Sequence, residues 1–391
     1  MKTRRLYYED SYQRSFRAAV TGTGKDEQGA YVVLDATLFF PEGGGQPADT
    51  GYLGGARVTD VQIREDEIRH YTDGSFAEGD TAEGVIDWER RFDLMQQHSG
   101  EHIVSGRIHA RFGYDNVGFH MGEKFITIDL NGLLDEEQLA SVEAEVNDYI
   151  WQNKAAKMFF ATEEEIEMLP YRSKIDLSGE VRLAEFPGAD LCACCGLHVK
   201  RAGEIGLVKL VSVHRFRQGV RIEMVSGKRA FRYLNSHFEQ NSQIAVDLSV
   251  KPENTREAVG KLQEENFRLR GEIIRLEKAA FTRIAEICRG KGDLMAFVPG
   301  LAPADIRKCA DEVLNVCGGI CILLSGDDET GYRYAAGSRD GDIRDLVKDM
   351  NLALSGRGGG KPLFAQGSVK ASLKEIEEYF KKKNFEIFTR V

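Results

Sequence analysis

The stretch "MQQHSGEHIVSG", residues 95–106, contains two histidines, His98 and His102, that are four residues apart. It lies in residues 86–112, where the apolar side chains are spaced approximately as on one face of a helix. Side chains four residues apart on a helix point to the same side, so both imidazoles could bind one metal ion. Two histidines on a helix are more often an ordinary polar surface, and a metal site requires further ligands from elsewhere.

A second pair with the same spacing occurs in "LCACCGLHV", residues 191–199, where Cys194 precedes His198 by four residues. Together the pairs offer three imidazoles and one thiolate, the donors that zinc takes in tetrahedral sites. Cys192 and Cys195 are rival ligands and form a C-x-x-C, which could be a redox motif or a zinc half-site. Only Cys194 repeats the spacing, which favours it. The predicted zinc ligands are His98, His102, Cys194 and His198.

The overall composition places the chain among ordinary globular proteins. It has 391 residues, enough for two to four domains, with 42% hydrophobic and 29% charged residues. No run of about 18 apolar residues occurs, so we expect no membrane span. The N-terminus "MKTRRLYYED" lacks the apolar segment of a secretory signal. The 7 scattered cysteines do not indicate a disulfide framework, and we expect a cytoplasmic location.

We predict an α+β fold that begins with a small β-barrel. Strand-like stretches such as "AYVVLDATLFF" and "ARVTDVQI" are separated by glycine turns. Among them lies "FFPEGGGQPADTG", residues 39–51, whose three consecutive glycines predict a loop that can approach a ligand closely. The four predicted regions are the barrel (1–90), a zinc-binding α+β domain (91–235), a helical linker or coiled coil (236–290) and a C-terminal α/β domain (291–391).

The linker carries a heptad pattern. Its apolar positions alternate in steps of three and four residues over about three repeats, which predicts either a coiled coil or an intramolecular antiparallel helix pair. Asn266 at one of these positions would fix the register. The heptad positions are Val259, Leu262, Asn266, Leu269, Ile273, Leu276 and Ala280.

Charge is unevenly distributed along the chain. The formal net charge of −10 counts mildly against a nucleic-acid partner, but nucleic acids bind local basic surfaces. Residues 198–232 contain nine basic residues and only two acidic ones. This stretch is either a solvated face or a track for phosphates, and its position beside the predicted ligands favours the track. The basic residues are Lys200, Arg201, Lys209, Arg215, Arg217, Arg221, Lys228, Arg229 and Arg232.

Taken in order, these motifs resemble a known family. A "GGGQ" loop followed by HxxxH and then CxxxH resembles the editing domain of alanyl-tRNA synthetase and, more closely, the free-standing AlaX-type alanyl-tRNA editing proteins. "VGFHMGEKFITIDL" and "GVRIEMVSG" match the same pattern. The C-terminal "SGRGGGKPLFAQG" resembles the DHH-associated domain that ends the long AlaX proteins. The resemblance covers nearly the whole chain.

The resemblance implies hydrolysis of mischarged tRNA(Ala), chiefly Ser-tRNA(Ala) and also Gly-tRNA(Ala). It implies Zn²⁺ as cofactor, with the four ligands named above. No class II aminoacylation motif is recognisable, so we expect the chain to remove amino acids from tRNA and not to attach them. The "GGGQ" residues that would line the site are Gly43, Gly44, Gly45 and Gln46.

The chain departs from the synthetase pattern in two places. It has Cys195 and Leu197 where the common "CGGTH" form has glycine and threonine, and Phe119 or His120 near a position that reads serine in the synthetase. These departures leave the amino-acid selectivity open. A pocket that hydrogen-bonds the serine hydroxyl would reject alanine, because a buried polar group would lose its partner. Gln46 and His120 are the candidates for that contact.

Further contacts follow from the same hypothesis. Arg221 would meet the 3′ end of the tRNA, and Glu101 is interpreted as a residue behind the ligands or on the surface. The "GRGGGK" loop would contact phosphate through its N–H groups and its two basic residues. We expect a homodimer through the C-terminal region. The expected tRNA-binding residues are Lys200, Arg201, Arg215, Arg217, Arg357 and Lys361.

Three functions remain open from the sequence. The leading one is a trans-editing hydrolase, in which zinc either activates water or organises the pocket. The four-ligand set favours the organising role. The second is a non-catalytic tRNA-binding module with structural zinc, and the third is a zinc hydrolase of small esters.

Overall fold

The computed structural model describes residues 2–173 and 179–389. These residues fall into two compact units, one up to Ile244 and one from Ala245 onward. The α+β class is confirmed, since each unit combines helices with sheets. The division into four regions stays a prediction. In the described part of the chain, no helix is both long and apolar enough to cross a membrane.

The first unit begins with a β-barrel, whose strands close in the order β2-β3-β7-β6-β5-β8. Alternating buried and exposed residues in its strands place one face of each strand in the core. A short helix and a two-stranded pairing of β1 with β4 precede and flank the barrel. The elements are β1 Arg4–Arg5, α1 Leu6–Glu9, β2 Ser15–Asp26, β3 Gly29–Leu34, β4 Ala36–Thr37, β5 Gly51–Leu53, β6 Ala56–Arg64, β7 Glu67–Thr72 and β8 Thr81–Ile86.

The helix α2, Trp88–Phe112, directly follows the barrel and confirms the predicted helix. The Asp87 side chain caps its N-terminus by accepting from the Arg90 N–H. Gly113, with φ of 72°, ends it in the left-handed conformation that glycine adopts without strain. Most of α2 is buried, including its polar middle turns, which indicates that those polar side chains have partners inside the unit.

Two further sheets surround α2. One is antiparallel in the order β14-β15-β10-β9, and the other has the order β11-β12-β13. A 3₁₀ turn, Ala202–Ile205, follows the predicted CxxxH motif. The elements are β9 Asn116–Met121, β10 Ile126–Leu130, α3 Glu136–Trp151, β11 Lys157–Ala161, α4 Glu163–Met168, β12 Val181–Phe186, β13 Asp190–Ala193, β14 Val208–Phe216 and β15 Gly219–Ser226.

One hydrophobic cluster joins the barrel to α2 and to the sheet that contains β10 and β15. Phe39, Met95 and Ile128 are fully buried members of it. Inside the same region, the fully buried Arg91 on α2 forms an ion pair with Asp49 of the barrel. The barrel and the helix therefore share one core, so the glycine loop of the barrel is fixed against α2.

The linker is helical, as predicted. It consists of α5, Gly227–Asp247, and the 33-residue α6, Thr255–Ile287, with a 3₁₀ turn at Pro252–Asn254. Only the last turns of α6 contribute to a core, through Phe281 and Ile284. The heptad positions lie exposed, and Leu262 and Ile273 retain 56% and 54% of their accessible surface.

The second unit is built on a six-stranded sheet in the order β19-β20-β18-β17-β16-β21. Its strand β19 corrects one prediction, because "GRGGGK" was expected to form a loop. The absence of side chains lets this strand lie close to β20, because a Cβ at Gly360 would lie 2.1 Å from the Phe364 carbonyl oxygen. The elements are β16 Gly292–Phe297, α7 Pro303–Leu314, β17 Gly318–Asp327, β18 Gly331–Gly337, α8 Arg344–Ala353, β19 Arg357–Lys361, β20 Phe364–Val369, α9 Leu373–Lys382 and β21 Glu386–Phe388.

Candidate metal centre

The four predicted ligands meet in the first unit. Their donor atoms all lie within 4.8 Å of one another. The Cys194 Sγ is 3.5 Å from His98 Nε2 and 3.3 Å from His198 Nε2. A tetrahedral zinc ion, with bonds of about 2.0–2.1 Å to nitrogen and 2.3 Å to sulfur, separates its ligand atoms by roughly 3.3–3.6 Å. The cluster therefore has the size and the donor set of a zinc site.

Local structure explains why these side chains converge. His98 and His102 are one turn apart on α2 and face the same side, with ring centroids 5.2 Å apart. The CxxxH segment follows β13 as a turn rather than a helix. Gly196 allows this turn to approach α2, because a Cβ there would lie 2.1 Å from His98 Cε1.

Each imidazole is oriented by a hydrogen bond at its Nδ1. His98 contacts Gln46 Oε1 at 3.0 Å, His102 contacts Asp190 Oδ2 at 2.9 Å, and His198 contacts Ser99 Oγ at 3.2 Å. Such partners fix the ring orientation and leave Nε2 for a metal. Asp190 is held in turn by Arg172, whose Nε donates to Oδ1 at 2.7 Å.

Electrostatics at the cluster favour the metal-binding form of the cysteine. Burial alone would raise the pKa of the Cys194 thiol, but the three surrounding imidazoles lower that pKa well below its usual value. Burial lowers the pKa of His198 to about 3, which keeps this imidazole neutral. At His102 burial acts in the same direction, but Cys194 and Asp190 outweigh it and raise the pKa of this imidazole well above its usual value. A thiolate and neutral imidazoles are the forms that coordinate zinc.

A cavity of about 640 Å³ opens onto the cluster. His98, His102 and Cys194 line it together with Gly44 and Gly45 of the glycine loop. The loop can come this close only without side chains, because a Cβ at Gly44 would lie 2.7 Å from Cys195 Sγ. Further lining residues are Glu101, Asp115, Asn116, Gly118, Phe119, Arg172, Ser173, Glu180, Val181, Arg182, Cys192, Ala193 and Cys195.

Three family models match parts of the chain. "tRNA synthetases class II (A)" matches residues 10–90, which is the barrel. "Threonyl and Alanyl tRNA synthetase second additional domain" matches residues 181–223, which include the CxxxH turn. "DHHA1 domain" matches residues 290–384. The three matches follow one another in the order that the motifs predict.

Two curated proteins match nearly end to end. The chain is 26% identical to "Alanyl-tRNA editing protein AlaX-L" of Pyrococcus horikoshii, with 95% of this chain and 96% of that protein covered. It is 24% identical to "Alanyl-tRNA editing protein Aarsd1" of Danio rerio, with 96% and 97% covered. The chain is a long-form relative of the alanyl-tRNA editing proteins.

Alanine–tRNA ligases match as well, over part of their length. The chain is 32% identical to that of Methanoregula boonei over 93% of its own residues, and it spans 41% of the ligase. The resemblance to editing proteins and to part of alanyl-tRNA synthetase, inferred from the motifs, is thus confirmed.

The structure corrects the predicted roles of Gln46 and His120 in this relative of the editing proteins. Gln46 is fully buried behind His98, and its Oε1 also accepts from the Leu197 N–H at 2.9 Å. It therefore orients a ligand rather than reading the substrate. His120 is exposed on β9 and does not line the cavity. Phe119, which points the opposite way, stacks on His98 at 5.3 Å.

Three of the remaining predicted contacts have partners within the protein. Arg221 forms a two-pronged ion pair with Asp129 and does not line the cavity, so its contact with the 3′ end of the tRNA stays a prediction. Lys200 pairs with Asp10, and Arg201 donates to the Asn153 carbonyl.

All six predicted tRNA contacts are exposed, Lys200 and Arg201 included. Arg215 and Arg217 lie exposed at the end of the β14–β15 hairpin. Arg357 and Lys361 are exposed on the strand β19. Arg357 also lines a second cavity of about 460 Å³, in the second unit, together with Arg333 and Tyr334.

Sequence reasoning missed the side chains that support the ligands. Asp190 directly precedes the stretch that contains CxxxH but lies 88 residues from His102, which it orients, and Arg172 lies 18 residues before Asp190. Spacing within a motif gives no sign of these two contacts. Ser99 lies inside the HxxxH motif itself, where a small hydroxyl beside a predicted ligand could have been noted. Arg182 was also missed, although it donates to the carbonyls of Cys194 and Gly196 and so stabilises the turn.

Proposed function

We propose that this chain is a trans-editing hydrolase that cleaves the aminoacyl ester of mischarged tRNA(Ala), chiefly Ser-tRNA(Ala) and also Gly-tRNA(Ala). The observation that carries the proposal is the cluster of three imidazoles and one thiolate at a cavity edged by a glycine loop. The names of the relatives that match nearly end to end support the same substrate class.

The proposed cofactor is Zn²⁺, held by His98, His102, Cys194 and His198. When bound there, the ion would supply a positive charge beside the ester carbonyl. The chain's own residues prepare that position. Buried hydrogen bonds hold the imidazole rings, and the Cys194 charge is stabilised by its surroundings. The glycine loop leaves room for the aminoacyl group.

The exposed basic side chains supply the proposed surface for the tRNA backbone. Arg215 and Arg217 stand on one hairpin, and each phosphate contact made by a basic residue steepens the salt dependence of binding. Replacing both by glutamine should weaken tRNA binding and reduce the slope of log K against log salt by about one per lost contact. An unchanged slope would place the contacts elsewhere.

A complete set of four protein ligands also favours a second candidate, a tRNA-binding module with structural zinc. Release of serine from Ser-tRNA(Ala), beside release of alanine from Ala-tRNA(Ala), separates the two. We expect serine release with alanine spared, lost in His98→Ala and after treatment with a zinc chelator. If zinc-loaded protein binds tRNA but releases neither amino acid, the structural module replaces the hydrolase.

A further inference from the structure

Glu101 lies between two predicted metal ligands on α2, three residues after His98 and one before His102. Its sequence position alone suggests a residue behind the ligands or on the surface. In the structure it is only 5% exposed, and its remaining exposed surface lines the 640 Å³ cavity. A carboxylate is thus buried at the edge of the candidate active site.

The two oxygens of this carboxylate have different surroundings. Oε1 accepts hydrogen bonds from Ser105 Oγ and from Asn116 Nδ2, which hold the side chain in one position. Oε2 accepts no hydrogen bond from any residue that the structure describes, and it is not sealed from the cavity. Arg172 lines the same cavity, but its Nε is committed to Asp190 at 2.7 Å.

The charge of Arg172 already acts on this carboxylate, but a buried oxygen that accepts no hydrogen bond remains costly unless a ligand supplies a donor. Residues three apart on a helix are neighbours, about 5–6 Å between Cβ atoms, so Glu101 adjoins the metal ligand His98. In an aminoacyl ester, one carbon atom separates the α-ammonium group from the ester carbonyl. A substrate with its carbonyl at the metal centre can therefore turn its ammonium group toward Glu101.

We propose that Glu101 binds the α-ammonium group of the aminoacyl ester, an inference that rests on the proposed editing function. The hydrogen bonds to Oε1 prepare the carboxylate, and the ammonium group donates to Oε2. The site then favours a free amino group. An N-acylated ester lacks this positive charge, so the site disfavours it.

The test compares two substrates and two substitutions in the full-length, zinc-loaded protein. The substrates are Ser-tRNA(Ala) and N-acetyl-Ser-tRNA(Ala). Glu101→Gln removes the charge but keeps a carbonyl oxygen for Ser105 and Asn116, so it should fold and bind zinc normally. The control is Glu167→Gln, which removes an exposed carboxylate on α4. Zinc content and circular dichroism verify each variant.

Glu101→Gln should lower kcat/KM for Ser-tRNA(Ala) by roughly 10- to 100-fold, the range expected for a lost hydrogen bond to a charged group. It should change the slow reaction of N-acetyl-Ser-tRNA(Ala) by less than about threefold. The Glu167→Gln protein should resemble the wild type with both substrates. An equal loss on both substrates would overturn the inference, because Glu101 would then act on the chemistry and not on the ammonium group.

A binding measurement separates this inference from the proposed function. Calorimetry with 3′-serylamino-3′-deoxyadenosine, which carries an amide in place of the ester, needs no turnover. The wild type should bind this amine more tightly than its N-acetyl form, and Glu101→Gln should bind both alike. If the wild type prefers the amine but releases no serine from Ser-tRNA(Ala), only the proposed hydrolase is overturned. If the wild type releases serine but binds both compounds alike, only the role of Glu101 is overturned.

Discussion

At the scale of single residues, Gly196 decides how closely the CxxxH turn approaches α2. A Cβ at this position would lie 2.1 Å from His98 Cε1 and 3.0 Å from Gln46 Oε1. Gly196→Ala must therefore displace His98 or the turn. We expect zinc affinity to fall by roughly 10- to 100-fold, as for other changes that disturb the orientation of a ligand. Competition with a chelator measures the dissociation constant.

The matched control for this prediction is Gly260→Ala on the exposed part of α6. A Cβ there meets no atom within 4 Å, so only the higher helix propensity of alanine acts. Zinc affinity should be unchanged in this variant. Equal zinc affinity in Gly196→Ala and the wild type would show that the turn can retreat without loss.

His70, inside the barrel, is a second residue whose surroundings determine a measurable property. It is fully buried, with Nδ1 at 3.1 Å from the Val32 carbonyl and Nε2 at 2.8 Å from Thr37 Oγ1. Burial lowers its pKa from 6.5 to about 4. The unfolded chain binds a proton at higher pH than the folded one does, so stability is lost as the pH falls from 6.5 to about 4.

The size of this effect follows from the shift in pKa, at about 1.4 kcal/mol per unit, and amounts to roughly 3 kcal/mol. Urea unfolding of the wild type and of His70→Gln at several pH values isolates it from other titrating groups. The stability advantage of histidine over glutamine should shrink by roughly 3 kcal/mol between pH 7 and pH 4. An advantage independent of pH would mean that His70 titrates alike in both states.

The residue scale also shows how much of the metal centre the sequence could reveal. The ligands are recognisable because each pair is four residues apart. Which residue orients which histidine is not recognisable, because Gln46, Asp190 and Ser99 lie 52, 88 and 99 residues from the histidines that they orient. Only the folded chain brings such residues together. The misassigned His120 has a local cause, since the sequence did not show which face of β9 points to the cavity.

At the scale of elements, Arg91 fixes α2 to the barrel. Its guanidinium is fully buried and binds Asp49 together with the carbonyls of Leu38 and Ser11. Arg91→Ala leaves the Asp49 carboxylate buried without its cation, so we expect a loss of about 3–5 kcal/mol in the free energy of unfolding. Denaturant titration of the variant and the wild type measures this loss.

Arg111 on the same helix supplies the control, since its ion pair with Glu145 is exposed. Arg111→Ala should cost no more than about 1 kcal/mol. A similar small loss in Arg91→Ala would indicate that water can reach Asp49 when the guanidinium is removed.

Element types were predictable where the pattern was long or strongly periodic, as in α2 and α6. The two glycine-rich segments adopt different structures. "GGGQ" forms the close-approach turn that three glycines suggest, whereas "RGGGK" forms the edge strand β19. Its strand conformation depends on pairing with β20, a tertiary contact that local propensity cannot report.

At the scale of the whole molecule, each compact unit has a hydrophobic core of its own, and α6 carries an apolar seam that its own unit does not cover. The seam repeats every seven residues, and Asn266 sits on it as a polar position that can fix register. Exposed apolar stripes of this length mark interaction surfaces. The predicted homodimer through the C-terminal region would cover this seam if the two copies of α6 paired as a coiled coil, one of the two arrangements that the heptads predict.

Placing charges on the seam tests this dimer. In Leu262→Asp/Ile273→Asp, two carboxylates would have to be buried in the helix pair, so sedimentation velocity should show monomers where the wild type shows dimers. Lys278→Asp is the control, because it introduces the same side chain off the seam and should leave the dimer intact. The seam is not a dimer interface if the wild type sediments as a monomer, or if the dimer persists with both charges on the seam. A partner other than a second copy would then cover it. Because the seam lies outside the metal centre, the seam variant should bind zinc like the wild type, so assembly can be tested separately from the site.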